Sequence, residues 1–450
     1  MLAALQNMLK VEDLRKKLIY TLLLIALVRL VQNIPLPGIN IAAFQAKIAS
    51  SLDGGGKSLT QMFNVFSGGA LQKCAIGVLG IMPFITASII MQLMTPVVPQ
   101  LEKMQKESEQ GRQQIQQITR YLTILICVVQ GGAIAMGAAS GDLVGIDNPI
   151  LIPKTPFVIL AIILFTGSAL LIMWLGEMIS EKGLGNGASL IITISIISNI
   201  PSALTVIYDK FMSDTLDIVQ ITLLVALFIA VTYATVALVE GLRKIPIKYA
   251  RRTVGSRTAA AQQTYLPLKV NHAGVMPIIF AGALMMVPSL LVAKFNLSWL
   301  AFAQTPSHPG SILLMAAMIM IFTFFWVATQ FNPIQVADDL KNSGGFIPGY
   351  HPGDPTAAFL NQTMTRITTA GAVFLTALAV FPTILGNTLA DNNQLISQFF
   401  GGTSLLIMVG VVLQTMQQVE VQLVQHNYDG LVDAGKLRNR SATPAVVEGE

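Results

Sequence analysis

The sequence predicts an all-α membrane protein with ten transmembrane helices, and three observations carry that prediction. Of its 450 residues, 53% are hydrophobic and only 11% charged. An average soluble domain has about 25% charged residues, so water is not the main solvent of this chain. Apolar runs of roughly 20 residues, each long enough to cross ~30 Å of hydrocarbon, recur along its length. The Lys and Arg residues gather in alternate connections between those runs.

The runs place spans near 18–34, 75–95, 119–138, 156–175, 188–207, 216–239, 272–293, 311–331, 367–386 and 401–425. A β-barrel would instead alternate in segments of about ten residues. The first span carries Arg29 and is followed by NIPLPG without a small-x-small cleavage pattern, so it is expected to stay as a span and not to act as a cleavable signal peptide. Residues 59–66 form an amphipathic stretch with Leu59, Met62, Phe63 and Phe66 apolar, broken by SerGlyGly at 67–69. A helix that short cannot cross a bilayer. Re-entrant backbone is tolerated where protein buries it or a watery cavity receives it. The plainer alternative is a surface loop. The functional reading is a segment that folds back into a cavity and can leave it, with Gly68 and Gly69 as the hinge.

The second span contains GIMPFITASIIMQL, residues 80–93, with Ile81, Ile85 and Ile89 on one face and no charge. Such a stripe most often faces lipid or a neighbouring helix. Around a pore, the same side chains would exclude water and ions by dewetting. Apart from Arg29, no span carries Asp, Glu, Lys or Arg in its core. A coupled small-solute transporter, the competing function, usually places an ionisable group or an unwound helix at the midplane. Here the spans offer only neutral groups, Thr86, Ser88, Gln92, Gln130 and Asn271, whose ordinary role is to hydrogen-bond between helices.

Of the 28 Lys and Arg residues, 21 lie in the N-terminus, the connections 96–120, 176–187, 240–271 and 332–366, and the tail, against six in the opposite connections. That asymmetry puts both termini and the two long connections in the cytoplasm. The basic 240–271 connection and the Gly- and Pro-rich stretch DDLKNSGGFIPGYHPGDP are longer than chain reversal requires, and together could form a docking surface for a soluble partner.

Catalytic and metal chemistry find no support. DGGGKSLT lacks the first glycine of a phosphate-binding loop, having Ser51 there, and follows no strand. HExxH, GxSxG and paired carboxylates do not occur. The two cysteines, Cys74 and Cys127, are far apart, and the four histidines are scattered. No catalytic residue, metal site or cofactor is expected.

GIMPFITASIIMQL, preceded by MFNVFSGGAL, resembles the SecY family of protein-conducting channels. So do MWLGEMISEKGLGNGASLII at 173–192, AAAQQTYLPLKVNHAGVMPIIF at 259–280, FNPIQVADDLKNSGGFIPGYHPG at 331–353 and FGGTSLLI at 400–407. The resemblance runs from the first span to the last. It implies two pseudo-symmetric five-helix halves around a central pore, residues 1–207 and 208–425, hinged near 200–215, with a cytoplasmic tail over 426–450. It implies a pore ring at Ile81, Ile85, Ile192, Ile279 and Ile407, with Ala188 departing from the family at the sixth position. A plug at about 58–72 matches Leu59, Met62, Phe63, Phe66, Gly68 and Gly69. The lateral gate, spans 2–3 against 7–8, matches Thr86, Gln130 and Asn271, which would tune how hydrophobic a signal sequence must be. Arg251, Arg252 and Arg257 match positions that meet the SecA motor and the ribosome, while Ser256 and His351 stand where the family commonly has arginine. The implied partners are SecE- and SecG-type small membrane subunits, the SecA ATPase, the ribosome, signal sequences, unfolded polypeptides and membrane lipids. The implied place is the cell inner membrane.

Overall fold

The computed structural model of the chain describes residues 11–40, 67–107, 109–140, 151–213, 218–249, 253–254, 257–258, 263–295, 302, 308–389 and 402–440. Helices dominate: α1 (Glu12–Asn33), α2 (Met82–Val97), α3 (Pro99–Glu107), α4 (Glu109–Ser140), α5 (Lys154–Lys182), α6 (Gly187–Ile197), α7 (Ile200–Met212) and α8 (Ile218–Glu240) precede a small strand region. That region holds β1 (Leu242–Tyr249), β2 (Thr253–Val254), β3 (Arg257–Thr258) and β4 (Gln263–Lys269). Then follow α9 (Met276–Phe295), α10 (Pro309–Gln330), α11 (Pro333–Asn342), β5 (Gly345–Phe346), α12 (Asp354–Leu389) and α13 (Gly402–Arg440).

Among the described residues, eight helical segments are long and apolar enough to cross a membrane, and they match expected spans two to six and eight to ten. The expected first and seventh spans are α1 and α9, which fall short of that measure. Lys16, Lys17 and Arg29 dilute α1, and the short apolar part of α9 is Met276–Met285. Yet α1 turns Ile19, Leu22, Leu23, Leu27 and Leu30 outward, an apolar face that water would penalise and lipid would not.

Lipid around the helices also explains α5. Phe157, Ala161, Phe165, Ala169, Ile172 and Ile179 are buried on one side, while Ile159, Ile163, Leu171 and Trp174 are exposed on the other. A helix apolar all round belongs in the membrane, and its packing rests on close fit between helices rather than on escape from water. Buried hydroxyls stay local. Thr119, Thr123, Thr193, Thr235 and Thr323 each donate to the carbonyl four residues back at 2.7–2.9 Å, which satisfies them without a partner on another helix.

Three expectations about the connections are corrected. The 240–271 connection is not plain loop: β1 pairs antiparallel with β4, Ile245 opposite Leu266, and with β5, Lys248 opposite Phe346. LRKIPIKY alternates, burying Ile245 beside Val327, Leu360 and Met364 and burying Ile247 near Gly345, while its basic side chains stay outside, the pattern of a half-buried strand. The 332–366 connection contains α11, β5 and the start of α12. The expected hinge loop at 200–215 is helix α7 as far as Met212, and span five is instead broken at Ser198 and Asn199, between α6 and α7.

Candidate functional site

The chain enters α2 through a 3-10 turn, Ile76–Leu79, which Ser168 holds to α5 by donating to the Ile76 carbonyl at 2.7 Å. Ile81 stands at the N-cap of α2 and Pro83 lies in the first turn, where its missing N–H costs nothing. Ile81 and Ile85 are thereby buried one turn apart. From the other side, α6 begins at Asn186, whose side chain accepts from the Ser189 N–H at 3.1 Å. Ser180 on α5 accepts from the Gly187 N–H at 2.8 Å. A β-carbon on Gly187 would collide with the Gly176 carbonyl, and one on Gly176 would lie 3.2 Å from the Ile81 and Ile191 methyls. These two glycines let α5, α6 and the start of α2 meet, which brings Ala188 and Ile192 opposite Ile81.

The third wall comes from α9. Asn271 donates to the Gly274 carbonyl at 3.0 Å, tightening the turn that leads into the helix, and Ile279 lies on its first turn and a half. A side chain on Gly410 would collide with Val275, so α13 approaches the start of α9 closely enough for Ile407 to join the same cluster. Ile81, Ile85, Ile192, Ile279 and Ile407 retain 2, 6, 1, 2 and 1% of their exposure and belong to one contiguous apolar core. Ile81, Ile85, Ala188, Ile192 and Ile279 also line a cavity of about 860 Å³.

The same cavity is also lined by Glu102, Arg120, Glu177 and Glu181, all from the Lys/Arg-rich side of the chain. Arg120 clasps Glu177 with both ends of its guanidinium, Nε to Oε1 at 3.1 Å and Nη2 to Oε2 at 2.7 Å. Along the α9 and α10 wall, Phe280 meets Trp326 edge to face with ring centres 5.3 Å apart. Neither feature was expected from the sequence: Arg120 and Glu177 lie 57 positions apart with no motif to link them, and an aromatic within an apolar span carries no sign of the wall it will line.

The polar groups expected to bridge helices do not do so. Thr86 donates to Met82 within its own helix at 3.0 Å, Asn271 serves its own turn, and the buried Gln130 Oε1 has no hydrogen-bond partner. No hydrogen bond joins the three: Thr86 and Asn271 are satisfied by nearby backbone carbonyls of their own segments. Gln92 and Ser88 line the cavity. Leu59, Met62, Phe63, Phe66, Arg251 and Arg252 lie outside the described residues, while Gly68 and Gly69 follow Ser67 in a turn. Arg257 lies in β3, opposite Val254. His351 is exposed before α12, and its carbonyl accepts from the Thr356 hydroxyl at 2.7 Å. Among the described residues, no group of three or more His, Cys, Asp or Glu could hold a metal ion.

The protein translocase subunit SecY of Chlamydia trachomatis serovar D is 40% identical over 98% of this chain and its own full length. That of Streptomyces scabiei is 41% identical over 96% of this chain and its own full length. In fold, the chain is similar to a solved protein-conducting channel, with a TM-score of 0.60 at 18% identity across 90% of this chain and 91% of that one. Sec61 from the canine ribosome–channel complex of the endoplasmic reticulum gives 0.58 at 18% identity, with 90% and 91% covered. The SecY family model matches residues 75–416, and the chain belongs to the SecY family.

Proposed function

We propose that the chain is a protein-conducting channel whose constriction is formed by Ile81, Ile85, Ala188, Ile192, Ile279 and Ile407, and which passes unfolded secretory polypeptides across the membrane. The observation that supports this most is that five isoleucines from α2, α6, α9 and α13 belong to one apolar core, and four of them, Ile81, Ile85, Ile192 and Ile279, line a single cavity. A polypeptide cargo presents every kind of side chain, so charge cannot select it. Isoleucine, stiff at χ1 and without hydrogen bonds, closes around a passing chain and shuts behind it by dewetting.

The seam between α2 and α9, which pack against each other, is the lateral gate in this reading. A signal sequence is an apolar helix. By binding better where the seam has parted, it shifts the balance toward the open state, and membrane segments leave sideways through the same opening. Residues 58–72 act as the plug. Residues 1–207 and 208–425 are the two halves, both termini face the cytoplasm, and the membrane is the cell inner membrane. Driving energy comes from partners, a SecA-type ATPase or a translating ribosome. They dock on Arg251, Arg252, Arg257 and His351, beside SecE- and SecG-type small subunits. Related channels are described in complex with ribosomes.

A photo-crosslinker at Ile85, in assembled translocase carrying a stalled secretory chain, is expected to give adducts with that chain. The lipid-facing position Ile229 on α8 is the control. Equal yields at the two positions would overturn the constriction.

A further inference from the structure

One cation lies inside an apolar span. Arg29, on the last two turns of α1, is half-buried, and a membrane helix places an ionisable side chain at a cost that asks for a function. Its guanidinium is held by partners on two helices. Nη1 donates to Gln32 Oε1 at 2.9 Å, and Nη2 donates to the Ile194 carbonyl on α6. That carbonyl also accepts from the Ser198 N–H at 3.0 Å, in the last turn of α6 before the break at Ser198 and Asn199. The C-terminal end of a helix carries partial negative charge, so a cation is favourable there. Ile194 lies two residues beyond Ile192 of the constriction.

The third body in this contact is the turn after residue 66. Gly68 has φ +65°, and a β-carbon there would run into Arg29 Nη1 and lie 3.2 Å from the Ser195 Cα. The backbone of Gly68 is therefore pressed between the guanidinium and α6. Gly69, φ +84°, faces the Asn199 side chain. Below them the chain is tied to the extended segment just after α1 by backbone bonds, Leu36 N–H to the Cys74 carbonyl at 2.7 Å and Ile76 N–H to the Ile34 carbonyl at 2.8 Å. Lys73 Nζ reaches Asn33 Oδ1 at 2.5 Å. Gln32, 2% exposed with its Nε2 unpartnered, packs against Gly77.

From this geometry we infer that Arg29 is a positioning residue for the seal: it clamps the root of the plug, Ser67–Gly69, against the end of α6, next to the constriction. The inference rests on the reading of residues 58–72 as a plug. Cys74 and Ile76 are held by backbone bonds to Leu36 and Ile34, just past α1, while Lys73 N–H donates back to the Gly69 carbonyl at 3.3 Å, so loosening the glycines also loosens the hold on Cys74. The clamp acts on the two glycines above them, the point where a departing plug must bend.

The test uses the assembled translocase in planar lipid bilayers without a signal sequence, reading ion conductance and the alkylation rate of Cys74 in a Cys127→Ala background. Arg29→Ala is expected to raise resting conductance several-fold and to speed Cys74 alkylation. Arg29→Lys, which keeps a cation within reach of Ile194, is expected to restore most of the seal. Gly68→Ala, which leaves the charge but forces the root off the guanidinium, is expected to leak like Arg29→Ala. Deletion of residues 60–70 is expected to leak most. If the deletion leaks and Arg29→Ala conducts as the unaltered protein does, the clamp is wrong and the plug stands. If the deletion does not leak, the plug reading fails and the clamp falls with it. A lysine variant as leaky as the alanine variant also overturns the clamp, because the Ile194 carbonyl requires only a cation.

Discussion

The proposed constriction and the contact proposed for the root of the plug meet α6 two residues apart, at Ile192 and at Ile194, and are built on opposite principles. Ile192 belongs to the apolar core, where each close pair of carbon atoms contributes on the order of 0.1–0.2 kcal/mol without preferred direction. Around Ile194, a guanidinium, a helix-end carbonyl and a left-handed glycine fix one geometry, and a hydrogen bond to a charged group contributes about 1.5–3 kcal/mol. A surface that must accommodate any passing side chain needs contacts that can slide. A segment that must return to one place needs contacts that cannot.

The largest effect expected from that contrast concerns Cys74, in the tied segment. Burial pushes its thiol up to about 12 from an ordinary 9.0, so near pH 8 its thiolate is about a thousandfold scarcer than that of an unburied cysteine. Alkylation in the Cys127→Ala protein should be slow. It should climb roughly tenfold per pH unit up to pH 10–11, without the plateau an exposed thiol reaches above its own pKa. A plateau near pH 9 would show that the root is loose.

Replacing Ile81 and Ile85 together by serine wets the constriction, and resting conductance should rise by about tenfold, the equivalent of ~1.4 kcal/mol in barrier. Replacing both by leucine, a swap of equal volume, should leave conductance unchanged, since no directional contact is lost. A leucine pair that leaks as much as the serine pair would mean that the isoleucines are a fixed fit after all.

The smallest effect belongs to the charged part of the cavity lining. The Arg120–Glu177 pair is well formed but partly exposed, 44 and 23% at the two side chains, and such pairs contribute at most about 1 kcal/mol. Arg120→Ala should lower the thermal stability of the purified protein slightly at low salt and not measurably at high salt.

Much of this architecture was legible in the sequence because a membrane constrains composition directly. Every backbone group must be satisfied within its own helix, so apolar runs mark spans, and eight of them reappear in the described helices. The ends were less legible: α4, α12 and α13 run past their apolar stretches because helix periodicity continues after hydropathy stops. The sheet of β1, β4 and β5 was missed although LRKIPIKY alternates, since its basic residues invited a reading by charge alone. The stripe in GIMPFITASIIMQL was visible as a stripe, but a stripe facing lipid and one facing a pore have the same spelling.

What the sequence by itself determined is the solvent of each segment, the helical class and the absence of charge from the span cores, because these follow from residue type and local period. What only the tertiary structure decided is convergence. Ile81, Ile192, Ile279 and Ile407 enter one apolar core where Gly176, Gly187 and Gly410 let helices distant in sequence approach, and Arg29 finds its acceptor on α6 beside Gly68. Such contacts depend on how whole helices pack, and no local pattern encodes which carbonyl a lone arginine will face.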